Sequence, residues 1–318
     1  MATRVLVLLL PDVHLLDMAG PVQVFYEANG FGGAYEIVHC ASTAKVRSAQ
    51  GLTFADLAPL PKAQAGDTVL IPGIESSTLH RLGSVPVKWL RSASASGARV
   101  ASICSGAFAL AEAGLLDGRE CTTHWKVAER LRTEHPAVRL IRNRLFVKDG
   151  NIVTSAGVAS GIDMALSLVM DDHGPSLVAK VAREMVVYLR RTGEREQVSP
   201  YLDYRTHLHD GIHRVQDFVV THPEKNPNLG ELARIAAMSP RNLTRLFRDA
   251  TGITIKTYCG RVKVQVAQDL LRNPRLTLES VSSSCGFKDP RQFRRLWKQT
   301  LGGNPSQWRH DTTRLDAR

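Results

Sequence analysis

Along the first 190 positions, apolar residues fall in short unbroken runs separated by longer mixed segments. Val5–Leu10 is continuously apolar and is stopped by Pro11 and Asp12. A run of that length, closed by turn residues, predicts a strand buried on both faces of a sheet. Tyr35–Cys40, Asp67–Ile71 and Arg99–Ile103 predict three more strands, and Leu145–Lys148 with Ile152–Thr154 predicts a hairpin around Asp149-Gly150. Helical patterns lie between them. Met18–Asn29 spaces Val22, Phe25 and Tyr26 for one face, and Val85–Ser96, Ser105–Leu116, Gly161–Asp171 and Pro175–Arg191 also read as helices. Strands alternating with helices predict an α/β domain with a mainly parallel sheet.

The pattern changes near residue 195. Arg190–Gln197 is polar and contains glycine, Ser199-Pro200 follows, and every strong segment beyond is helical. The expected domains are therefore 1–195 and 205–318, the second all-α. His213–Thr221 is one helix, and from Leu229 one pattern occurs twice.

In the first copy Leu229, Leu232, Ala233 and Ala236 sit at i, i+3, i+4 and i+7, one helix face. Ala237 then opens a turn, and Ser239-Pro240 starts a second helix with Leu243, Leu246 and Phe247 inward. In the second copy Leu278, Val281, Ser282 and Cys285 precede Gly286, and Asp289-Pro290 starts a helix with Phe293, Leu296 and Trp297 inward. The offset between copies is 49 before the turn and 50 after it, so the second turn is one residue longer. Ser239 and Asp289 are good N-caps, and proline suits the first helical position. Left outward are Arg241, Asn242, Arg245 and Arg248, and in the second copy Arg291, Gln292, Arg295 and Lys298. These side chains can hydrogen-bond guanine and adenine edges in a DNA major groove. Arg245 and Arg295, next to the inner face, have two readings: a base or phosphate contact, or a structural ion pair. Thr257–Arg272 reads as a long helix that holds the two helix-turn-helix motifs at fixed separation, so that recognition helices about 34 Å apart meet successive major grooves.

Charge sharpens this division. The chain has 318 residues and a formal net charge of +11. Residues 1–200 hold 21 Lys and Arg against 19 Asp and Glu, whereas residues 201–318 hold 20 against 11. A near-neutral module joined to a basic one fits a sensor joined to a reader of double-stranded DNA. The five cysteines, Cys40, Cys104, Cys121, Cys259 and Cys285, form no CxxC pair. That argues against a disulfide framework or a zinc site and for a reducing cytoplasm. No metal or cofactor is expected, and the apolar N-terminal run is too short for a membrane span.

One segment of the first domain carries candidate chemistry. In Val100-Ala101-Ser102-Ile103-Cys104-Ser105-Gly106 a strand runs into a helix with Cys104 at the junction. This has the form of a nucleophile elbow, where the side chain is exposed at a sharp turn and the helix N-terminus favours a thiolate. Asp17, just past the first strand, would lie at the same edge of a parallel sheet, where such folds bind ligands. The plainer readings are that Asp17 caps a helix and Cys104 is small and buried.

Residues 205–310 resemble the AraC/XylS family of transcription regulators, on the Gly286-Phe287 turn with Phe293, Arg295 and Lys298, and on Gly302 and Pro305-Ser306-Gln307-Trp308-Arg309. Residues 4–190 resemble the DJ-1/PfpI superfamily, related to class I glutamine amidotransferases. The matching segments are Asp17 with Gly20-Pro21 and Phe25, the Cys104 elbow through Gly114-Leu115-Leu116, Thr122-Thr123-His124-Trp125, Thr154-Ser155-Ala156-Gly157 and Gly161-Ile162-Asp163. The combination resembles the GlxA-like group of regulators. The resemblance implies a flavodoxin-like sandwich that binds an effector and forms a homodimer, with Asp17, Cys104, Ser105 and His124 as ligand candidates. It points to an amino-acid or quaternary-amine effector. Ser105 stands where protease-like relatives have histidine, so a Cys-His hydrolase is not expected. Two alternatives to the regulator stay open: a Cys104-dependent hydratase or hydrolase, and a redox sensor through Cys104.

Overall fold

The computed structural model describes residues 2–187, 193, 197, 204–205, 207–271 and 273–309. The expected boundary at 195–205 and the end of the helix expected through Arg191 fall mostly outside them. The chain divides into two compact units, Met1–Gln197 and Val198–Arg318.

The first unit contains strands β1 (Thr3–Leu8), β2 (Tyr35–Ala41), β3 (Val46–Arg47), β4 (Thr53–Phe54), β5 (Ala58–Pro59), β6 (Thr68–Ile71), β7 (Arg99–Ile103), β8 (Glu120–Cys121), β9 (Arg139–Leu140), β10 (Phe146–Asp149) and β11 (Ile152–Ser155). Its helices are α1 (Leu15–Gly30), α2 (Ser84–Ala95), α3 (Ala107–Glu112), α4 (Trp125–Glu134), α5 (Val158–His173) and α6 (Pro175–Glu184). Seven strands form one sheet in the order β10-β11-β7-β6-β1-β2-β5. All neighbours are parallel except the edge pair β10 and β11, the expected hairpin. The register Val5 opposite Ile37 and Val5 opposite Thr68 shows β1 paired on both sides. Accordingly Val5 to Leu8 are fully buried, as their unbroken apolar run requires.

From β1 the chain crosses to β2 on one side, and from β6 it crosses to β7 on the other. With right-handed crossovers, α1 and α2 then cover opposite faces. The order reverses between β1 and β6, and a parallel sheet opens a crevice at such a point. Helices α1 and α5 pack closely because small residues meet there. A Cβ on Gly20 would lie 2.9 Å from Ile162 Cγ1, and one on Gly161 would lie 3.2 Å from Pro21 Cγ.

Two helix expectations change. The buried face of α1 is centred on Gly20, Pro21, Val24, Phe25 and Ala28. Tyr26, four residues after half-buried Val22, falls at its margin and is 63% exposed. The helix expected over Ser105–Leu116 is a 3₁₀ turn at Cys104–Gly106 followed by α3. It stops at Gly114, whose φ of +67° ends the helix; Leu115 N donates to Leu110 O at 2.9 Å, the six-to-one bond of a glycine C-cap. The short strands β3, β4, β5, β8 and β9 and helix α4 were not expected.

The second unit is helical: α7 (Asp210–Thr221), α8 (Leu229–Ala236), α9 (Pro240–Thr251), α10 (Ile255–Leu271), α11 (Leu278–Ser284) and α12 (Pro290–Leu301). It has two apolar cores. Ile212, Val215, Leu232, Leu243, Phe247, Tyr258 and Val262 belong to the first. Val264, Ala267, Leu271, Val281, Phe293 and Trp297 belong to the second, closed by Trp308, whose ring meets Trp297 edge to face at 5.5 Å. Helix α10 supplies side chains to both. Leu229 is 43% exposed instead of joining the inner face, since it lines the open side of α9. Among the described residues no helix is long and apolar enough to cross a membrane.

Candidate functional site

The crevice residues come from the ends of β1, β6 and β7. Asp17 lies in the first turn of α1 and is completely buried. Gly73 follows β6, and its missing side chain makes the site possible. A Cβ there would lie 2.3 Å from Asp17 Oδ2, 2.9 Å from Cys104 Cβ and 3.0 Å from Ser105 Oγ. Three of the four expected ligand residues thus converge on one point. The fourth, His124, borders Cys104 across Gly157, where a Cβ would lie 3.0 Å from His124 Cδ2 and 3.6 Å from Cys104 Sγ.

Cys104 leaves the strand at φ +54°, a left-handed conformation that costs a non-glycine residue roughly 1–3 kcal/mol. The neighbours hold it there. Thr123 Oγ1 donates to Cys104 O at 2.7 Å. Ser105 Oγ donates to Ile74 O at 2.6 Å and accepts from Ile74 N at 2.9 Å, which clips the elbow to the loop after β6. A Cβ on Gly106 would meet Ile71 O at 2.3 Å, so the loop and the elbow share backbone contact. The hydroxyl of Ser105 is therefore already engaged. His124 caps α4, its Nδ1 accepting from Lys126 N at 3.3 Å, and its ring stacks on exposed Trp125 at 5.6 Å.

The elbow form is present, and its cysteine is covered. Cys104 is buried, 8% exposed, instead of presented to solvent. Burial pushes its thiol up to about 12, helped by the negative charge of Asp17 and opposed by bonds from Ser105. Desolvation outweighs the helix N-terminus, and the favoured species is the thiol, not the thiolate. Burial likewise pulls His124 down, with Lys126 adding to it.

His14 and Glu75 belong to the site and were not expected. His14 N donates to Gly73 O at 2.8 Å. Its ring lies 3.7 Å from Asp17 Oδ2 through Nδ1 and 3.8 Å from Glu75 Oε2 through Nε2. Its pKa is raised, first by Asp17, with Glu75 contributing, against the opposing effect of burial. Neither carboxylate oxygen of Asp17 has a hydrogen-bond partner among the described residues. A fully buried carboxylate without a hydrogen bond is costly, and His14 at 3.7 Å is the ion-pair neighbour that offsets it.

In the second unit each repeat forms helix, turn, helix. Ser239 Oγ accepts from Asn242 N at 3.3 Å and Asp289 Oδ1 from Arg291 N at 2.8 Å, so both expected caps are in place. The turn residues Ala237 and Gly286 have φ of +55° and +71°. Phe247 and Leu243 in α9, and Trp297 and Phe293 in α12, are buried. Leu246 and Leu296 are half-buried. Arg241, Arg245 and Arg248 are exposed, as are Arg291, Gln292, Arg295 and Lys298, while Asn242 is half-buried. Arg245 Nη2 donates to Asn242 Oδ1 at 3.0 Å. Among the described residues neither Arg245 nor Arg295 pairs with a carboxylate; on the same helix as Arg295, Arg294 lies 3.7 Å from Glu279. An open groove of about 460 Å³ beside α9 is lined by Leu229, Arg241, Thr244, Arg245 and Arg248. Thr244 was overlooked because a threonine inside a helix carries no distinctive signal.

A family model for the DJ-1/PfpI family matches residues 3–171, and one for a helix-turn-helix domain matches residues 232–311. The HTH-type transcriptional regulator CdhR of Pseudomonas aeruginosa is 29% identical over 306 residues, covering 94% of this chain and 89% of that protein. The HTH-type transcriptional regulator GlxA of Rhizobium meliloti is 28% identical over 313 residues, covering 96% and 95%. Among solved structures, a ThiJ/PfpI family protein from Pseudomonas syringae superposes with a TM-score of 0.52 at 25% identity, over 58% of this chain and 75% of that one. The chain belongs to the DJ-1/PfpI family and carries, after the family domain, a helix-turn-helix domain.

Proposed function

We propose that this protein is a transcription regulator in which residues 1–195 bind a small cationic metabolite and residues 205–318 read promoter DNA. The observation that carries the DNA reading is the pair of matched, capped helices whose outward faces hold Arg241, Asn242, Arg245 and Arg248, and Arg291, Gln292, Arg295 and Lys298. Both lie in the basic part of the chain, and similarity to regulators over nearly the full length supports the same reading. The protein acts as a cytoplasmic homodimer on paired operator sites, without metal or cofactor.

The effector is an amine or amino acid. The buried carboxylate of Asp17 lacks a hydrogen-bond partner, and Glu75 adds a second acid across His14. A cationic head would be bound there by charge, and Cys104 would supply a neutral wall. No enzymatic step is assigned, because nucleophilic catalysis needs a thiolate and a base. The Cys104 thiol is held high, and His124 points its Nδ1 at the Lys126 backbone.

Selection from a random duplex pool at roughly physiological salt tests the reading. Enrichment of sites with two elements about one helical turn apart supports it. A pool with no enriched sequence, in the presence or absence of amine metabolites, refutes it.

A further inference from the structure

The two apolar cores of the helical unit do not merge. Val262 on α10 belongs to the first and Val264 to the second. Between them in sequence stands Lys263, which is only 8% exposed. Its Nζ donates to Asn226 Oδ1 at 2.8 Å and to Gly286 O at 3.4 Å, and it lies 5.5 Å over the Phe287 ring. Asn226 Nδ2 donates to the same Gly286 carbonyl at 2.7 Å. Asn226 sits in the loop between α7 and α8, on the side of the first motif, and Gly286 opens the turn of the second. The turn lies directly on that loop, because a Cβ at Gly286 would be 2.0 Å from Glu224 O.

A buried ammonium is an expensive way to fill this space. Burial lowers the Lys263 pKa, and the charge is met by an amide oxygen, a carbonyl and an aromatic face, with Glu224 and the Cys259 and Cys285 thiols nearby. An aliphatic side chain of the same length would avoid the desolvation cost. What it would lose is direction. The bonds from Lys263 and Asn226 converge on one carbonyl and fix the second turn against the first motif, whereas α10 alone joins the motifs by a single rod.

We propose that Lys263 and Asn226, converging on the Gly286 carbonyl, form a clamp that sets the distance between the two recognition helices α9 and α12 and thereby the permitted spacing of the two DNA elements. This rests on the DNA reading above. Lys263 is a positioning residue in this scheme and touches no base. The tolerance is small, since a shift of about 3.4 Å along the duplex changes the register by one base pair.

The test uses the full chain and a duplex pool in which the two elements are joined by spacers of varied length. Wild type, Lys263→Met and Asn226→Ala are compared. The wild type should enrich one spacing. Both variants should keep the same two element sequences but enrich several spacings. Affinity for the wild-type operator should fall about tenfold, as the second motif's effective concentration drops. Affinity for a duplex with a single element should stay within about twofold. A structural defect alone would weaken both duplexes alike and leave the spacing unchanged, and that result overturns the clamp. Should Lys263→Met fail to fold, Asn226→Ala decides, because its side chain is exposed. Unchanged spacing in that variant refutes the proposal. If the wild type itself selects no two-element site, the DNA reading fails and the clamp with it.

Discussion

Replacing Gly286 by alanine separates two reasons for a glycine in a helix-turn-helix turn. The first is backbone conformation. Gly286 has a φ of +71°, and an L-residue there costs about 1–2 kcal/mol. The second is space. A Cβ would lie 2.0 Å from Glu224 O, 2.6 Å from Glu224 C and 2.9 Å from Lys263 Nζ. The two nearest are backbone atoms, so the turn must retreat, and overpacking of that kind adds about 1–3 kcal/mol. The expected total is roughly 2–5 kcal/mol. Ala237 supplies the control. It holds the equivalent turn position at φ +55° and already carries a Cβ. Ala237→Gly removes the left-handed penalty and adds chain entropy to the unfolded state, leaving a net stabilisation of about 0.5 kcal/mol. Peptide-resolved hydrogen exchange in the full chain measures both, because it reports opening of α11 and α12 separately from α8 and α9. A loss of no more than about 1–2 kcal/mol for Gly286→Ala would mean that only the backbone term operates and that the turn does not rest on Glu224. Destabilisation by Ala237→Gly would refute the left-handed assignment of Ala237.

Three further outcomes are expected. With its thiol near 12, Cys104 in the native chain should resist iodoacetamide and mild peroxide at pH 7 while the unfolded chain reacts, as read by mass spectrometry; a rapid native adduct would restore the redox-sensor alternative. His14, raised mainly by Asp17, contributes stability that is fully present below its ordinary value of 6.5 and is lost as pH rises through its raised folded value. The unfolding free energy of the first unit should therefore decline across that window, and His14→Asn should remove this component; an identical pH slope in the variant would contradict it. Arg291→Ala should cost about 1–3 kcal/mol of DNA affinity and relax preference at one base position, measured by competition with single-base operator variants. A uniform loss across sequences would assign Arg291 to a phosphate.

The helical unit was largely legible in the sequence because its determinants are local. Caps at Ser239 and Asp289, prolines at the first helical position and an i, i+3, i+4 apolar rhythm specify each helix within a dozen residues. The repeat then supplies its own control, since each copy checks the other. What the pattern missed lies at the edges: Leu229 has the right spacing to be inward yet lines an open groove. The sheet was legible for a similar reason. Unbroken apolar runs such as Val5–Leu8 have one solution, a strand covered on both faces. Short strands such as β3, β5 and β8 have two residues each, too few to show a period.

The crevice was half legible, and the missing half decides its chemistry. Cys104 stood out because a strand-to-helix junction with small neighbours is a sequence feature. Its ionisation was not legible because that depends on what covers it, and Gly73 and Ile74 reach the elbow from one other segment and Thr123 from another. His14 and Glu75 gave no signal, since a histidine before a helix and a glutamate in a loop are unremarkable until β1 and β6 are placed side by side. Once they are, the logic of the site runs through Asp17. Its carboxylate is buried without a hydrogen-bond partner, its negative charge helps hold the adjacent thiol neutral, and the nearest cationic group is a histidine whose charge depends on pH. A thiolate is favoured by a fixed positive charge beside the sulfur. A cation competing with protonated His14 for Asp17 would instead release a proton from His14, so ligand affinity should strengthen as pH rises toward the raised His14 pKa and then level off. That dependence ties occupancy of the crevice to the protonation of His14.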